Sequence, residues 1–218
     1  MSLPPGDGPD IPISEGPSGA LLRVLEEARR LGFLGPGPVI DHIRRALHAL
    51  PLLPEAAVAV LDLGSGGGLP GLPLALARPD STWVLLDGST RRGEFLTGAV
   101  RQLGLDRRVE VVTMRAEEAG RRPDLRQHFA VVVARSFGPP AVTAECAAPF
   151  LAVGGRLIVA EPPGGGIDRW PADGLTVLGL RPVLAVTEPS AFQVLEQATR
   201  CPERFPRRVG LPAKRPLF

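Results

Sequence analysis

Asp62-Leu63-Gly64-Ser65-Gly66-Gly67-Gly68-Leu69-Pro70-Gly71 is the stretch of this 218-residue chain whose residue types most restrict its chemistry. Glycines at this density let a backbone turn tightly and let a ligand lie against bare peptide groups. Gly66, Gly68 and Gly71 also fit the G-x-G-x-x-G spacing of dinucleotide sites, so two ligand classes compete. Asp62, two residues before the first glycine, separates them. A pyrophosphate beside a carboxylate would be repelled by about 1–4 kcal/mol at a few Å near a surface. A ligand with a sulfonium and an ammonium, S-adenosyl-L-methionine, is favoured by the same charge.

Two further acids follow at useful places. Asp87 lies 23 residues after Gly64, where a carboxylate accepts the hydroxyls of a ribose. Arg115-Ala116-Glu117 follows a third β-branched run, where a backbone N–H and a carboxylate can read an adenine edge. The expected cofactor contacts are therefore Asp62, Gly64, Gly66, Gly68, Asp87, Ala116 and Glu117. Together they predict a methyltransferase-type site.

The elements that must position these residues are legible as alternating apolar runs. Strands are expected over Val58–Leu63, Trp83–Asp87, Val109–Thr113, Phe129–Ala134 and Arg156–Ala160. Helices are expected near Leu72–Ala77, Arg91–Leu103 and Val142–Leu151. Apolar strands with helices between them indicate an α/β fold whose parallel sheet is covered on both faces. Leu175–Leu180 and Phe192–Thr199 read as an antiparallel pair at one edge. Upstream, Ser18 is expected to cap a helix with Leu21, Val24, Leu25 and Ala28 inward, ended by Gly32. Pro38 opens a second with Ile40, Ile43, Leu47 and Leu50 inward. The division expected is an unstructured Pro/Gly-rich segment 1–17, helices over 18–51, and a methyltransferase domain over 52–218.

Composition excludes several classes. No apolar run reaches the roughly 18–20 residues of a membrane-spanning helix, and Met1 to Ala20 lacks a signal-peptide pattern, so a cytoplasmic protein away from membranes is expected. Arg supplies 24 of 25 cationic residues, a bias that weakens Arg counts as a sign of nucleic acid. Position is more informative. From Arg200 onward six bases (Arg200, Arg204, Arg207, Arg208, Lys214, Arg215) face one acid, Glu203, which points to a phosphate-bearing partner.

Missing parts narrow the methyl acceptor. Exocyclic amines call for an Asn/Asp-Pro-Pro-aromatic loop after the fourth strand, and that place reads Arg135-Ser136-Phe137-Gly138-Pro139-Pro140. Carbon-5 pyrimidine chemistry calls for a thiolate near the cofactor, and Cys146 and Cys201 are placed as structural residues. His42, His48 and His128 have no metal-ligand spacing, so no metal is expected. A ring nitrogen such as guanine N7 remains. Its lone pair attacks in line, no proton is lost, and no general base is needed.

The stretch Asp62 to Gly71, followed by Leu72-Pro73-Leu74-Ala75, Leu85-Leu86-Asp87, Arg91-Arg92, Phe95-Leu96, Arg115-Ala116-Glu117 and Ala134-Arg135, resembles the small-subunit ribosomal RNA guanine-N7 methyltransferases, the RsmG family. The ending from Arg204 to Leu217 is similar to that family's Pro-Arg-Arg-x-Gly-x-Pro-x-Lys-Arg-Pro-Leu. The resemblance runs from about Pro38 to Phe218. It implies a seven-stranded class I methyltransferase sheet with the last strand antiparallel, and cofactor contacts at Gly64, Leu69, Ala116, Glu117 and Arg135. It also implies a catalytic Arg135 between cofactor and acceptor base. Phosphate contacts would come from Arg204, Arg207, Arg208, Lys214 and Arg215, in a monomer acting on ribosomal RNA or the small ribosomal subunit.

Departures lie on the acceptor side. Ala160-Glu161-Pro162 stands where the family usually has Lys-Gly, and the helix motif His-x-x-Asp-Ser-Leu reads His42-Ile43-Arg44-Arg45-Ala46-Leu47. A small-molecule methyltransferase of the same descent and a non-catalytic binder of cofactor or ribosome are therefore the rival expectations.

Overall fold

The computed structural model describes residues 17–162 and 167–218. The expected unstructured segment 1–17 lies outside the described residues except for Pro17, which opens helix α1. Ser18 therefore falls inside the helix rather than at its cap.

Helices α1 (Pro17–Arg30) and α2 (Val39–Leu47) precede strand β1 (Ala59–Leu63), α3 (Gly71–Ala77), β2 (Thr82–Asp87), α4 (Thr90–Gln102) and β3 (Val109–Thr113). Then come α5 (Ala116–Ala119), β4 (Phe129–Arg135), α6 (Pro140–Ala147) and β5 (Leu151–Ala160). The chain closes with α7 (Ala172–Thr176), β6 (Leu180–Val186), β7 (Phe192–Gln197) and α8 (Leu211–Lys214). The seven strands form one sheet in the order β3-β2-β1-β4-β5-β7-β6. β1 to β5 run parallel, and β7 is antiparallel to both β5 and β6. This is the expected α/β, class I methyltransferase architecture.

Val60, Leu61, Asp62 and Leu63 of β1 are all buried, because a central parallel strand has helices over both faces. On one face Leu21, Val24 and Leu25 of α1, Val39 and Ile43 of α2, Leu72 and Leu74 of α3 and Leu96 of α4 share a core. On the other, Ala119, Ala144, Phe150, Leu175, Cys201 and Phe205 do. No helix of the described residues is long and apolar enough to cross a membrane, and they hold no group of three His, Cys, Asp or Glu fit for a metal.

Two sequence expectations need correction. Leu175–Leu180 is the end of α7 and a turn, and the strand begins where that reading ended, at Leu180. Pro182 hid it. A proline cannot donate to a ladder and reads against a strand, yet β6 is the edge strand, with a register shift at Pro182/Leu184. In α2 the inward stripe is Val39, His42, Ile43 and Ala46, so Ile40 and Leu47 sit at its margin. The C-terminal segment is docked: Cys201, Phe205, Leu217 and Phe218 pack on the core formed with α6 and α7.

Candidate functional site

Strand order decides what meets at the site. Leu63 of β1 pairs with Leu86 of β2 and Ala134 of β4, and Asp87 pairs with Thr113 of β3. The glycine loop, Asp87, Ala116 and Arg135 thus leave the same, C-terminal edge of four adjacent strands. That edge is about 14 Å across at the usual strand spacing. It includes the β1/β4 reversal, where open α/β sheets bind ligands.

The loop's hydrogen bonds discriminate between the two ligand classes. Gly64 N–H and Ser65 N–H both donate to Leu86 O, Gly66 N–H to Asp87 Oδ2 at 2.9 Å, and Gly68 N–H to Ser65 O. Gly71 N–H donates to Asp62 Oδ2 at 3.0 Å. A phosphate cradle needs such N–H groups free and aimed at the anion. Here five of them are spent inside the protein, two on carboxylates. The glycines are required by shape instead: Gly64, Gly66 and Gly68 have φ of +72°, +56° and +93°. A Cβ on Gly71 would lie 2.5 Å from both Asp62 Oδ2 and Leu85 Cδ2.

Asp62 faces inward, which corrects the expected direct contact. It is fully buried beneath the loop, with Oδ1 without a hydrogen-bond partner. Burial pushes its carboxyl up to about 7, against the hydrogen bond from Gly71 and with help from the neighbouring Asp87 charge. Asp87 is also buried, its Oδ1 taking Ser89 N–H at 2.9 Å and Arg92 lying 3.6 Å from Oδ2. A carboxylate has about four acceptor positions, so room for hydroxyl donors remains. Leu69 turns its side chain into the core and leaves only its backbone for a ligand.

Glu117 also holds the C-terminal segment: its Oε1 accepts Gly210 N–H at 2.9 Å, while Oε2 lies 3.9 Å from Arg115 Nε. Arg207 is likewise committed. Its N–H, Nε and Nη2 all donate to the fully buried Glu145, at 2.9, 2.8 and 2.6 Å. A guanidinium so held is a clasp, not a free phosphate contact. Arg126 adds donors to the carbonyls of Cys201, Pro202 and Phe205. Arg204, Arg208, Lys214 and Arg215 stay exposed along this strap.

Beyond the loop a cavity of about 420 Å³ opens over the ends of β4 and β5. Apolar Phe137, Ile158, Trp170 and Phe192 line it, with Arg45, Arg135 and Arg169 as its cations. Arg135 Nη2 donates to His42 Nδ1 at 2.9 Å, while Nη1 is buried without a partner among the described residues. Glu161 also borders the cavity, but Arg169 is ion-paired to Oε2 and Trp170 Nε1 donates to Oε1 at 3.0 Å. The anion expected at the mouth is therefore neutralised. Cys146 and Cys201 are buried, and burial pushes both thiols up, Cys201 to about 11. Neither is a thiolate at neutral pH.

His42, Arg45 and Arg169 were not expected at the site. His42 carried a signal, since it is one of two positions kept in the helix motif. Arg45 and Arg169 carried none among 24 arginines.

Residues 36–161 match the family described as rRNA small subunit methyltransferase G. The ribosomal RNA small subunit methyltransferase G of Rubrobacter xylanophilus is 33% identical over 213 residues, covering 90% of this chain and 80% of that one. Its namesake from Moorella thermoacetica is 36% identical over 173 residues, covering 76% and 71%. Among solved structures, cofactor-bound Rv0187 from MTB has a TM-score of 0.59 at 19% identity, covering 86% of this chain and 92% of that one. The T. thermophilus 16S rRNA N2 G1207 methyltransferase, in complex with AdoMet and guanosine, has a TM-score of 0.51 at 21% identity. That likeness covers 74% of this chain and spans 40% of that one. With its fold shared by solved methyltransferases and its sequence matched over more than half its length, this chain belongs to the rRNA small subunit methyltransferase G family.

Proposed function

We propose that the protein methylates N7 of a guanine in small-subunit (16S) ribosomal RNA, using S-adenosyl-L-methionine, as a cytoplasmic monomer. One observation carries the cofactor assignment: the glycine loop spends five N–H groups on Asp62, Asp87, Ser65 O and Leu86 O of β2, leaving a shaped, phosphate-averse surface. The cofactor supplies a methyl group on a positively charged sulfur. Asp87 would take the ribose hydroxyls, the backbone of Gly64, Gly66, Gly68 and Leu69 would lie along the ligand, and Ala116-Glu117 would meet the adenine through peptide groups.

Arg135 lines the cavity at the end of β4, and its guanidinium is the donor that would orient the acceptor base. Nothing there needs to remove a proton, because a ring nitrogen attacks with its own lone pair. Exposed Arg204, Arg208, Lys214 and Arg215 would meet phosphates. In this reading residues 18–51 and 52–218 form one catalytic unit. The reading as a small-molecule enzyme rested partly on Glu161 as a free anion, and the Arg169 and Trp170 contacts weaken that part.

The test is incubation with labelled S-adenosyl-L-methionine and small ribosomal subunits lacking the modification, followed by mapping of the label. Label on N7 of one guanine is expected. Label on another atom, or none, contradicts the proposal.

A further inference from the structure

Arg135 is held from outside its own domain layer. Its neighbour Ser136 has a φ of +53°, so the backbone turns sharply just beyond the guanidinium. Arg135 Nη2 reaches His42 Nδ1, on α2, at 2.9 Å, across 93 residues of sequence. An arginine can only donate, so Nδ1 must carry the lone pair. The ring proton then sits on Nε2, which faces Gly35 O at 3.3 Å. The two contacts together specify one neutral tautomer. His42 is buried, and both of its nitrogens are used.

We propose that His42 is a positioning residue for methyl transfer. By accepting from Nη2 it fixes the plane of a guanidinium that borders the acceptor cavity. The proposal rests on the reading of Arg135 as the group that orients the acceptor. Its physical basis is geometric: a guanidinium with one nitrogen anchored has lost the rotation that would otherwise be frozen when the base binds. A misplacement of about 1 Å in such a group costs up to about 100-fold in rate.

His42→Leu removes the acceptor, whereas His42→Asn keeps an oxygen near the place of Nδ1. The expected result is a kcat lowered about 10- to 100-fold in the Leu variant with unchanged affinity for S-adenosyl-L-methionine, and substantial recovery in the Asn variant. In an Arg135→Ala background, His42→Leu should cost nothing further. Full activity of His42→Leu, or an equal loss in the Arg135→Ala background, overturns the proposal. Should the Leu variant not fold, Asn is compared with Gln, whose acceptor falls nearer the place of Nε2. Asn the more active supports the proposal, and Gln equal or better overturns it.

A readout independent of turnover is the imidazole nitrogen NMR spectrum. A proton on Nε2, with an Nδ1 signal that moves in Arg135→Ala, supports the proposal. A proton on Nδ1 overturns it. If the wild type transfers no methyl group to small subunits, the proposed function fails while the spectrum still decides the role of His42.

Discussion

The cofactor side and the acceptor side of this cleft are built in opposite ways. The cofactor side is local in sequence: residues 62–71 and 87–92 bond mostly to one another, Gly66 to Asp87 and Gly71 to Asp62. The acceptor side is gathered from afar. His42 and Arg45 come from α2, Arg135 from β4, Glu161 from the end of β5, and Arg169 from the turn before α7. A strap, pinned by Glu145 to Arg207 and by Glu117 to Gly210, ties α6 and α5 to the C-terminal segment. A local site keeps its geometry through backbone turns, whereas a gathered one depends on distant elements staying docked. Damage to distant contacts should therefore fall on the acceptor side first.

The largest effect is expected at the strap. Arg207→Ala leaves the Glu145 carboxylate buried and unpaired, and should lower stability by about 3–5 kcal/mol in urea denaturation. Surviving folded protein should keep its cofactor affinity while losing methyl transfer. Equal loss of both would erase the distinction between the two sides.

Asp62→Asn sharpens the comparison from the cofactor side. Asp62 ionises near 7 in the folded chain and near its ordinary 3.8 when unfolded. Between those values the unfolded chain gives up a proton that the folded chain keeps. Stability present below pH 4 is thus lost as pH rises towards 7. Asn keeps an acceptor for Gly71 and does not titrate. The stability of Asp62→Asn relative to the wild type should rise from pH 4 to pH 8 by up to about 4 kcal/mol. A pH-independent difference would mean that Asp62 is ionised throughout.

A smaller effect is expected at Glu161→Lys. It strands Trp170 Nε1 and sets two cations together at the cavity. Thermal or urea unfolding should show a loss of about 1–3 kcal/mol, with weaker activity on RNA. Higher RNA activity would mean that Arg169 does not compensate Glu161. The smallest effects belong to the exposed strap cations. Each of Arg208→Ala and Lys214→Ala should reduce the salt slope of RNA affinity by about 0.7 without changing stability.

The same contrast explains what the sequence made legible. The five parallel strands and the glycine loop were readable because burial on both faces leaves continuous apolar runs and because tight turns need glycine. Leu175–Leu180 misled because an edge strand tolerates Pro182, which a pattern reading counts against it. Glu117 and Arg207 were named for what their types and places allow. Their partners, Gly210 and Glu145, lie 93 and 62 residues away, and no periodicity records such pairings. His42 was visible only as a kept position of the helix motif, and the docking of α2 beside the end of β4 gave it a partner.

Which ligand class the glycine loop admits decides what the cleft can do. Equilibrium unfolding with S-adenosyl-L-methionine, and separately with NAD and NADP, tests this directly. At about 100 times its Kd the sulfonium cofactor should add about 2.7 kcal/mol of stability, and the dinucleotides should add none. Stabilisation by a dinucleotide with no response to S-adenosyl-L-methionine would contradict it.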